Sequence, residues 1–234
     1  MPLVYAHRGA RRQAPENTLR AFARAMELGA DGVELDVRRT RDAALVVRHG
    51  AVGPAGPWAE LTLDQAKGSE PDLPELWEAL DVCAGGLVNI EIKNSPRDPD
   101  WDPSDRVAEL VVRLLAERTG GDQVLVSSFN LMTIDRVRSL APSVPTALLT
   151  SIGDPLQDLL TAESHRHTAL HPSIEQLPRA TADAVAARAH ERGVGVNVWT
   201  VNDPDDMVRL AAAGVDGIIT DVPDVALSVL ARRA

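Results

Sequence analysis

Eight short apolar runs alternate with eight longer segments of helical period along the chain, and this alternation predicts an α/β fold. Eight βα units in about 230 residues are the number that closes a (β/α)8 barrel, the TIM barrel. No GxGxxG fingerprint follows the first strand, which argues against the competing doubly wound open sheet. A short irregular insertion follows the second strand, at residues 38–73. We expect a single barrel domain over residues 1–234.

The elements follow from local patterns. The predicted strands are apolar runs at residues 3–6, 32–37, 87–92, 123–128, 144–149, 168–171, 194–199 and 217–220. The predicted helices cover residues 16–29, 74–84, 103–119, 130–140, 155–164, 181–192, 204–213 and 223–232. Most of them open with Asp, Ser, Thr, Asn or Pro, as a helix N-terminus requires. In the first helix, Leu19, Phe22, Ala23 and Met26 form one apolar stripe, and Gly29 ends it.

The insertion carries two recognisable pieces. "ALVVRHG" predicts a short extra strand, and "AVGPAGPWAEL" predicts a Gly/Pro-rich loop. Trp58 is the one candidate for an exposed aromatic side chain in residues 51–73.

Composition limits the function classes. Asp and Glu number 34 against 24 Lys and Arg, so we expect no nucleic-acid partner and no stable membrane association. Cys83 is the single cysteine, cannot form an internal disulfide, and is expected in the core. We find no signal segment and no apolar stretch approaching the roughly 18 residues of a membrane span. These features predict a soluble, cytoplasmic protein and leave its oligomeric state open.

Charged residues interrupt strands that should be buried. Glu34 and Asp36, like Glu91 and Lys93, are two residues apart, so each pair projects from one face of its strand. Strands of a parallel barrel are covered on the outside by helices, so these charges must face the barrel interior or its mouth. The first strand ends in a further pair of polar residues, His7 and Arg8. Other polar or aromatic residues lie at or just beyond later strand ends: Ser128, His171, Trp199 and Asp221. The carboxyl ends of barrel strands are where barrel enzymes place their active sites.

Three carboxylates at one barrel mouth call for a cation. Glu34, Asp36 and Glu91 offer only oxygen ligands, which favours Mg²⁺ or Ca²⁺, with Mn²⁺ and Zn²⁺ as alternatives. Arg8 and Lys93 add positive charge, and a metal ion with an Arg and a Lys suits a phosphate ligand.

The histidines divide into two groups. His7 and His49 suit general acid and base at a P–O bond, given the neighbouring carboxylates. His171 lies at a strand end, where it is as consistent with a place in the core as with the pocket. His165 and His167 lie in a polar loop and His190 on the exposed side of a helix, and none of the three is assigned a role.

Together these residues resemble the glycerophosphodiester phosphodiesterase family. The matching motifs are "AHRGA" at 6–10, "PENT" at 15–18, "GADGVELDV" at 29–37, "T-x-D" at 40–42, "NIEIK" at 89–93, "SSF" at 127–129, "NVWTVN" at 197–202 and "GVDGIITDVPD" at 214–224. They occur in the family's order and span nearly the whole chain.

The resemblance implies a (β/α)8 barrel that hydrolyses glycerophosphodiesters to glycerol 3-phosphate and an alcohol with a divalent metal ion. By position, the implied metal ligands are Glu34, Asp36 and Glu91, the acid/base pair His7 and His49, and the phosphate contacts Arg8 and Lys93. Phe129 and Trp199 match residues near the glycerol moiety, with packing at the barrel top as the alternative for both aromatic rings. Either water or the glycerol 2-hydroxyl could be the nucleophile.

Two departures from the family pattern lie in the insertion. His49 is followed by Gly50 where the family has Asp, and Asp42 is followed by Ala43 where the family turn has Gly. The 51–73 segment is also shorter than in the family and lacks its Arg-Thr-Thr stretch. These changes concern the placement of His49 and the shape of the substrate mouth, and they leave the metal ligands intact.

Three other functions stay open on sequence alone. Lys93 could form a Schiff base with a carbonyl substrate, as in an aldolase. The protein could bind a phosphate ligand without turnover. It could also be a phosphodiesterase of the same fold that acts on lysophospholipids or sphingolipids, although the short 51–73 segment offers little lipid-docking surface.

Overall fold

The structure is a computed structural model and describes residues 1–118, 121 and 123–231. Its strands are β1 Leu3–His7, β2 Gly32–Arg39, β3 Leu45–Val47, β4 Val52–Gly53, β5 Gly56–Pro57, β6 Leu87–Ile92, β7 Gln123–Ser128, β8 Thr146–Thr150, β9 Ala169–Pro172, β10 Gly195–Val198 and β11 Gly217–Thr220. Its α-helices are α1 Leu19–Glu27, α2 Leu63–Ser69, α3 Leu76–Val82, α4 Arg106–Glu117, α5 Leu131–Leu140, α6 Pro155–Ser164, α7 Arg179–His190, α8 Pro204–Ala213 and α9 Pro223–Ala231. Short 3-10 helices cover Trp58–Glu60 and Ile174–Gln176.

Eight parallel strands close into a barrel. In the order β1, β2, β6, β7, β8, β9, β10 and β11, each strand pairs with the next, and β11 pairs back with β1. Tyr5 marks the closure, because it lies opposite Gly32 of β2 and opposite Ile219 of β11. Helices fill the connections between successive strands, so the carboxyl ends of all eight strands share one rim. The predicted (β/α)8 barrel is confirmed.

The predicted helices are present, with ends shifted by up to three residues. The first begins at Leu19, not at 16, because Thr18 caps it: the Thr18 Oγ1 accepts a hydrogen bond from the backbone N of Ala21 at 3.2 Å. Residues 15–17 form a turn before the helix, and this turn reaches the barrel mouth. Two predicted helix ends, at 119 and 232, lie outside the described residues.

The core lies between the barrel and its helices. One apolar cluster packs the first strands against α1, α3 and α4 and includes Phe22, Leu35 and Ile90. Cys83 belongs to this cluster and is buried, as predicted. A second cluster packs the later strands against α6 to α9. Among the described residues, no helix combines the length and the apolar composition that crossing a membrane would take.

The insertion after β2 is more ordered than the sequence predicted. The expected extra strand is β3, which runs antiparallel to β2. Helix α2 was missed because its seven residues include only two apolar ones, Leu63 and Ala66, and so form no apolar stripe, although Thr62 and Gln65 form a capping box at its start. The prediction of an exposed Trp58 was wrong: its side chain is buried, with 2% exposed, and packs so closely on Gly53 that a side chain there would overlap the ring. The insertion therefore forms a small core of its own, around Val46, Trp58 and Leu73.

Candidate active site

A cavity of about 170 Å³ opens at the carboxyl ends of the barrel strands. Its lining residues are His7, Arg8, Glu34, His49, Asn89, Glu91, Lys93, Phe129, Leu149, Trp199 and Ile219. Eight of the nine site residues predicted from the sequence are among them, and the ninth, Asp36, is fully buried beside them. Asn89 was not predicted: its side-chain amide is buried and has no hydrogen-bond partner among the described residues.

Three carboxylates meet at one wall of this cavity. Glu34 and Asp36 come from one face of β2, and the pairing of β2 with β6 places Glu91 opposite Asp36. Each of the three offers an oxygen atom within 4.8 Å of the others. All three residues are less than a tenth exposed. Such a concentration of buried negative charge is unfavourable unless cations balance it.

The pKa values reflect this crowding. Burial, with the charges of Asp36 and Glu91, raises the pKa of Glu34 well above its ordinary value. Burial also acts to raise the pKa of Asp36, but the charges of Lys93 and Arg8 outweigh it and hold that pKa at about 2. The Oε1 atom of Glu34 is buried and accepts no hydrogen bond from a described residue. An orphaned carboxylate oxygen between two further carboxylates fits a divalent cation with oxygen ligands.

Two basic side chains reach the carboxylates. The Nζ of Lys93 lies 2.9 Å from Asp36 Oδ1 and also contacts Glu91 Oε1. The Nε of Arg8 lies 3.1 Å from Asp36 Oδ2, and its Nη1 donates to Glu16 Oε1 at 2.9 Å. Burial acts to lower the pKa of Lys93, but the charges of Glu91 and Asp36 outweigh that effect and raise the pKa above its ordinary value. A protonated Lys93 argues against the Schiff-base alternative, which needs a neutral amine.

A turn before α1 supports Asp36 from the other side. Asn17 is fully buried, and its Nδ2 donates to Asp36 Oδ2 at 2.7 Å. Its backbone takes the left-handed conformation, with φ of 55°, and Arg48 Nη1 donates to its carbonyl oxygen at 2.8 Å. The "PENT" motif thus fixes one oxygen of a candidate metal ligand, a contact that the sequence did not reveal.

His7 is oriented by a carboxylate from the last strand. Its Nδ1 lies 2.7 Å from Asp221 Oδ1, and its Nε2 lies 3.9 Å from Glu34 Oε2. Burial acts to raise the pKa of Asp221, but the hydrogen bond and charge of His7 hold it at about 2. Asn202 Nδ2 donates to the second oxygen of Asp221 at 3.0 Å. Because Asp221 is ionised, the 2.7 Å contact requires a proton on Nδ1, which leaves Nε2 to face the cavity.

His49 lies at the exposed rim of the cavity, in a turn held by its backbone. Arg38 Nε and Nη2 donate to the His49 carbonyl oxygen at 2.9 and 2.8 Å, and Trp58 Nε1 donates to the Gly50 carbonyl oxygen at 2.8 Å. Arg38 is buried and is itself paired with Asp100 at 2.6 Å. Loss of solvent around the imidazole and the positive charge of Lys93 lower the pKa of His49. A rigid backbone therefore presents this ring even though the family's Asp is replaced by Gly50.

Two aromatic rings form an apolar edge of the cavity beside Lys93. Phe129 follows β7 and Trp199 follows β10, and their centroids lie 5.4 Å apart in an edge-to-face arrangement. Phe129 is 42% exposed, so it is not packed in the core. Lys93 Nζ lies 5.9 Å from the centre of the Phe129 ring. An apolar edge next to a charged wall suits a ligand with a charged and an uncharged part.

Other polar residues at strand ends do not line the cavity. His171 is fully buried, with Nε2 2.9 Å from the Nδ2 of Asn197. Ser128 is also buried, and its Oγ donates to the carbonyl oxygen of Ile92 at 2.8 Å. His190 is exposed, as the sequence predicted, and lies against Asp216.

Comparison with known proteins supports the fold and identifies the family. The glycerophosphoryl diester phosphodiesterase family model matches residues 7–225. A glycerophosphodiester phosphodiesterase from Caldanaerobacter subterraneus subsp. tengcongensis is 33% identical, over 98% of each chain. The crystal structure of glycerophosphodiester phosphodiesterase from Thermotoga maritima superposes with a TM-score of 0.81 at 27% identity, covering 99% of each chain. An Oleispira antarctica phosphodiesterase, in complex with the product sn-glycerol-3-phosphate, superposes with a TM-score of 0.83 at 25% identity, covering 99% of this chain and 97% of that one.

The family model matches nearly the whole chain, and a relative at 33% identity is similar over its full length. The chain therefore belongs to the glycerophosphoryl diester phosphodiesterase family and is a phosphoric diester hydrolase.

Proposed function

We propose that this protein hydrolyses glycerophosphodiesters to glycerol 3-phosphate and an alcohol, with the help of a divalent metal ion. The observation that carries the proposal is the cavity at which Glu34, Glu91, two basic side chains and His7 meet beside an aromatic edge, with Asp36 buried next to them. The charged wall suits a phosphodiester, and the aromatic edge suits the small apolar face of a glycerol group. The Oleispira antarctica relative, whose structure holds sn-glycerol-3-phosphate, supports the same product here.

Glu34, Asp36 and Glu91 would hold the metal ion. Oxygen-only ligands favour Mg²⁺ or Ca²⁺ over softer ions. When bound, the ion supplies positive charge that polarises the phosphoryl group and stabilises charge on its oxygens. Lys93 contacts both Asp36 and Glu91, and its charge lowers the pKa of each carboxyl against the effect of burial, which favours the ionised form that would bind the ion.

Arg8 and Lys93 would bind the phosphate. Both line the cavity with donors that carboxylates already hold in place, so little side-chain freedom is lost when the substrate binds. The guanidinium of Arg8 can face two phosphate oxygens at once, whereas the ammonium of Lys93 acts as a point charge.

His7 and His49 would move the protons. Asp221 holds Nδ1–H of His7, so proton transfer takes place at Nε2, the nitrogen on the cavity side. His49 approaches from the rim, where its lowered pKa keeps the ring neutral and able to accept a proton at neutral pH. One histidine would take the proton of the attacking hydroxyl, whether water or the glycerol 2-hydroxyl, and the other would protonate the leaving alkoxide.

One observation favours a second substrate class. Three exposed apolar side chains lie near the same rim, in or next to the loops that follow β7 and β8: Phe129, Met132 and Ile152, which is 84% exposed. An apolar rim could contact the acyl chain of a lysophospholipid. This alternative predicts that lysophosphatidylcholine is turned over with a higher kcat/KM than glycerophosphocholine.

The test is release of glycerol 3-phosphate from glycerophosphocholine and glycerophosphoethanolamine with Mg²⁺, Ca²⁺ or Mn²⁺, and with EDTA. Glu91→Ala removes one proposed ligand, and Glu109→Gln, on the surface of α4, is the matched acidic control. We expect metal-dependent release that EDTA and Glu91→Ala abolish and that the control retains. No release from the folded protein with any metal would refute the proposal and favour a binding protein without turnover.

A further inference from the structure

A second cluster of metal-ligating side chains lies away from the cavity. Asp135 on α5, His165 at the end of α6 and His167 just before β9 each offer a ligand atom, and these atoms lie within 4.8 Å of one another. His165 Nδ1 is 2.8 Å from Asp135 Oδ2, and His167 Nε2 is 3.4 Å from Asp135 Oδ1. The cluster adjoins the amino end of β9, so it lies at the opposite end of the barrel from the cavity.

His167 has the environment of a metal ligand. The sequence prediction placed it in a polar loop, but it is buried, with 3% exposed. Its Nδ1 lies 2.9 Å from Thr146 Oγ1, while its Nε2 has no hydrogen-bond partner among the described residues. The Oδ1 of Asp135 that it faces has none either. Metal-binding histidines typically use one ring nitrogen for the ion and fix the other by a hydrogen bond.

We propose that Asp135, His165 and His167 bind a divalent transition-metal ion such as Zn²⁺, with water as the fourth ligand. Tetrahedral ligands at about 2.1 Å from the ion lie about 3.4 Å from one another. That spacing equals the 3.4 Å between His167 Nε2 and Asp135 Oδ1. Two imidazoles and one carboxylate suit Zn²⁺, whereas the three carboxylates of the cavity suit Mg²⁺ or Ca²⁺.

The ion would stabilise the fold. It would connect α5 to the segment between α6 and β9, two parts of the chain that are adjacent on the outside of the barrel. An ion bound by the folded state and not by the unfolded chain raises the free energy of unfolding by an amount that grows with the logarithm of the ratio of ion concentration to Kd. The charge of Arg138 acts on His167 and opposes a bound ion, so the affinity is lower than that of a closed site with cysteine ligands.

The experiment is a Zn²⁺ titration against a chromophoric chelator, which counts the bound ions, together with thermal unfolding with and without Zn²⁺. The test variant is His165→Ala, because this side chain is exposed enough to be removed without unfolding the protein. The matched control is His190→Ala, since His190 is an exposed histidine paired with Asp216 at 3.0 Å but lacks a second histidine.

We expect the wild type and His190→Ala to bind one more Zn²⁺ per chain than His165→Ala. Zn²⁺ should also raise the Tm of the first two proteins more than that of His165→Ala. Ions bound at the active-site carboxylates are common to all three proteins and cancel in this comparison. The proposal would be overturned if the wild type and His165→Ala bound the same number of Zn²⁺ ions per chain. It would also be overturned if His165→Ala and His190→Ala both lost the same number of bound ions relative to the wild type.

Discussion

Asp221→Asn tests how His7 is oriented. In the wild type, ionised Asp221 accepts from His7 Nδ1 with one oxygen and from Asn202 Nδ2 with the other. The new amide has a single acceptor oxygen. If that oxygen stays with Asn202, an NH₂ group faces His7 and forces the ring proton from Nδ1 onto Nε2. If His7 is the base, its cavity-side nitrogen then has no lone pair to accept a proton, and if it is the acid, it has lost the carboxylate that stabilises the protonated ring.

The expected loss follows from the role of that nitrogen. General acid–base catalysis typically contributes about 10²- to 10⁴-fold to a rate, or about 3 to 5 kcal/mol of transition-state stabilisation. We expect kcat for glycerophosphocholine to fall within that range while KM changes little, because the variant leaves the phosphate contacts in place. Steady-state kinetics measure the loss, and imidazole nitrogen NMR reports the tautomer of His7.

The matched control is Asp224→Asn, three residues further along. Asp224 is hydrogen-bonded to Gln13 at 3.2 Å on the surface, and no contact joins it to His7. Circular dichroism establishes that both variants are folded. If folded Asp221→Asn turned over within about threefold of the wild type, the assignment of His7 as a proton-transfer group oriented by Asp221 would be refuted.

Two further predictions concern buried groups. Arg38→Gln should lower the free energy of unfolding by about 3 kcal/mol, because it leaves the buried carboxylate of Asp100 unpaired. It should also lower kcat/KM by about a hundredfold, because the turn that carries His49 loses two hydrogen bonds. Urea unfolding and kinetics measure both effects, and Arg39→Gln, which removes only a more exposed ion pair, should change neither by much. The buried ring of His171 has its pKa lowered from 6.5 to about 3, so between those values the unfolded chain binds a proton that the folded protein does not. Stability therefore falls as the pH drops, by about 2 kcal/mol from about pH 7 to pH 5 through this group. The free energy of unfolding of His171→Gln, measured with urea at both pH values, should fall by about 2 kcal/mol less than that of the wild type. An equal fall in both proteins would contradict the prediction.

The barrel could be predicted because each βα unit carries its own local signals. The eight barrel strands are largely apolar runs, most helices between them open with a capping residue, and both patterns can be read from nearby residues alone. Helix α2 has only two apolar residues, Leu63 and Ala66, so it shows no apolar stripe. Trp58 lies in a Gly/Pro-rich segment that the sequence predicted as a loop, yet Gly53 makes room for the ring and the insertion closes over it. The burial of His167 depends on Thr146 and Asp135, which belong to other βα units.

Some active-site residues could be predicted from a local pattern, whereas the contacts between distant residues could not. Alternation along β2 indicated Glu34 and Asp36, and the same period of two extends to Arg38, a signal that could have identified the residue holding His49. The pairing of His7 with Asp221 spans 214 positions, so only the closure of the barrel brings them together. The hydrogen bond from Asn17 to Asp36 likewise depends on the turn before α1.

The most direct test of the account is Mn²⁺ binding, followed by the electron paramagnetic resonance signal of the free ion, in the wild type and in Glu34→Gln. This variant keeps the size of the side chain and removes one charged ligand, and Glu109→Gln is the matched control. If the three carboxylates hold the metal ion, Mn²⁺ affinity should fall at least tenfold in Glu34→Gln and stay unchanged in the control. Equal Mn²⁺ affinity in the wild type and Glu34→Gln would contradict the proposed metal site.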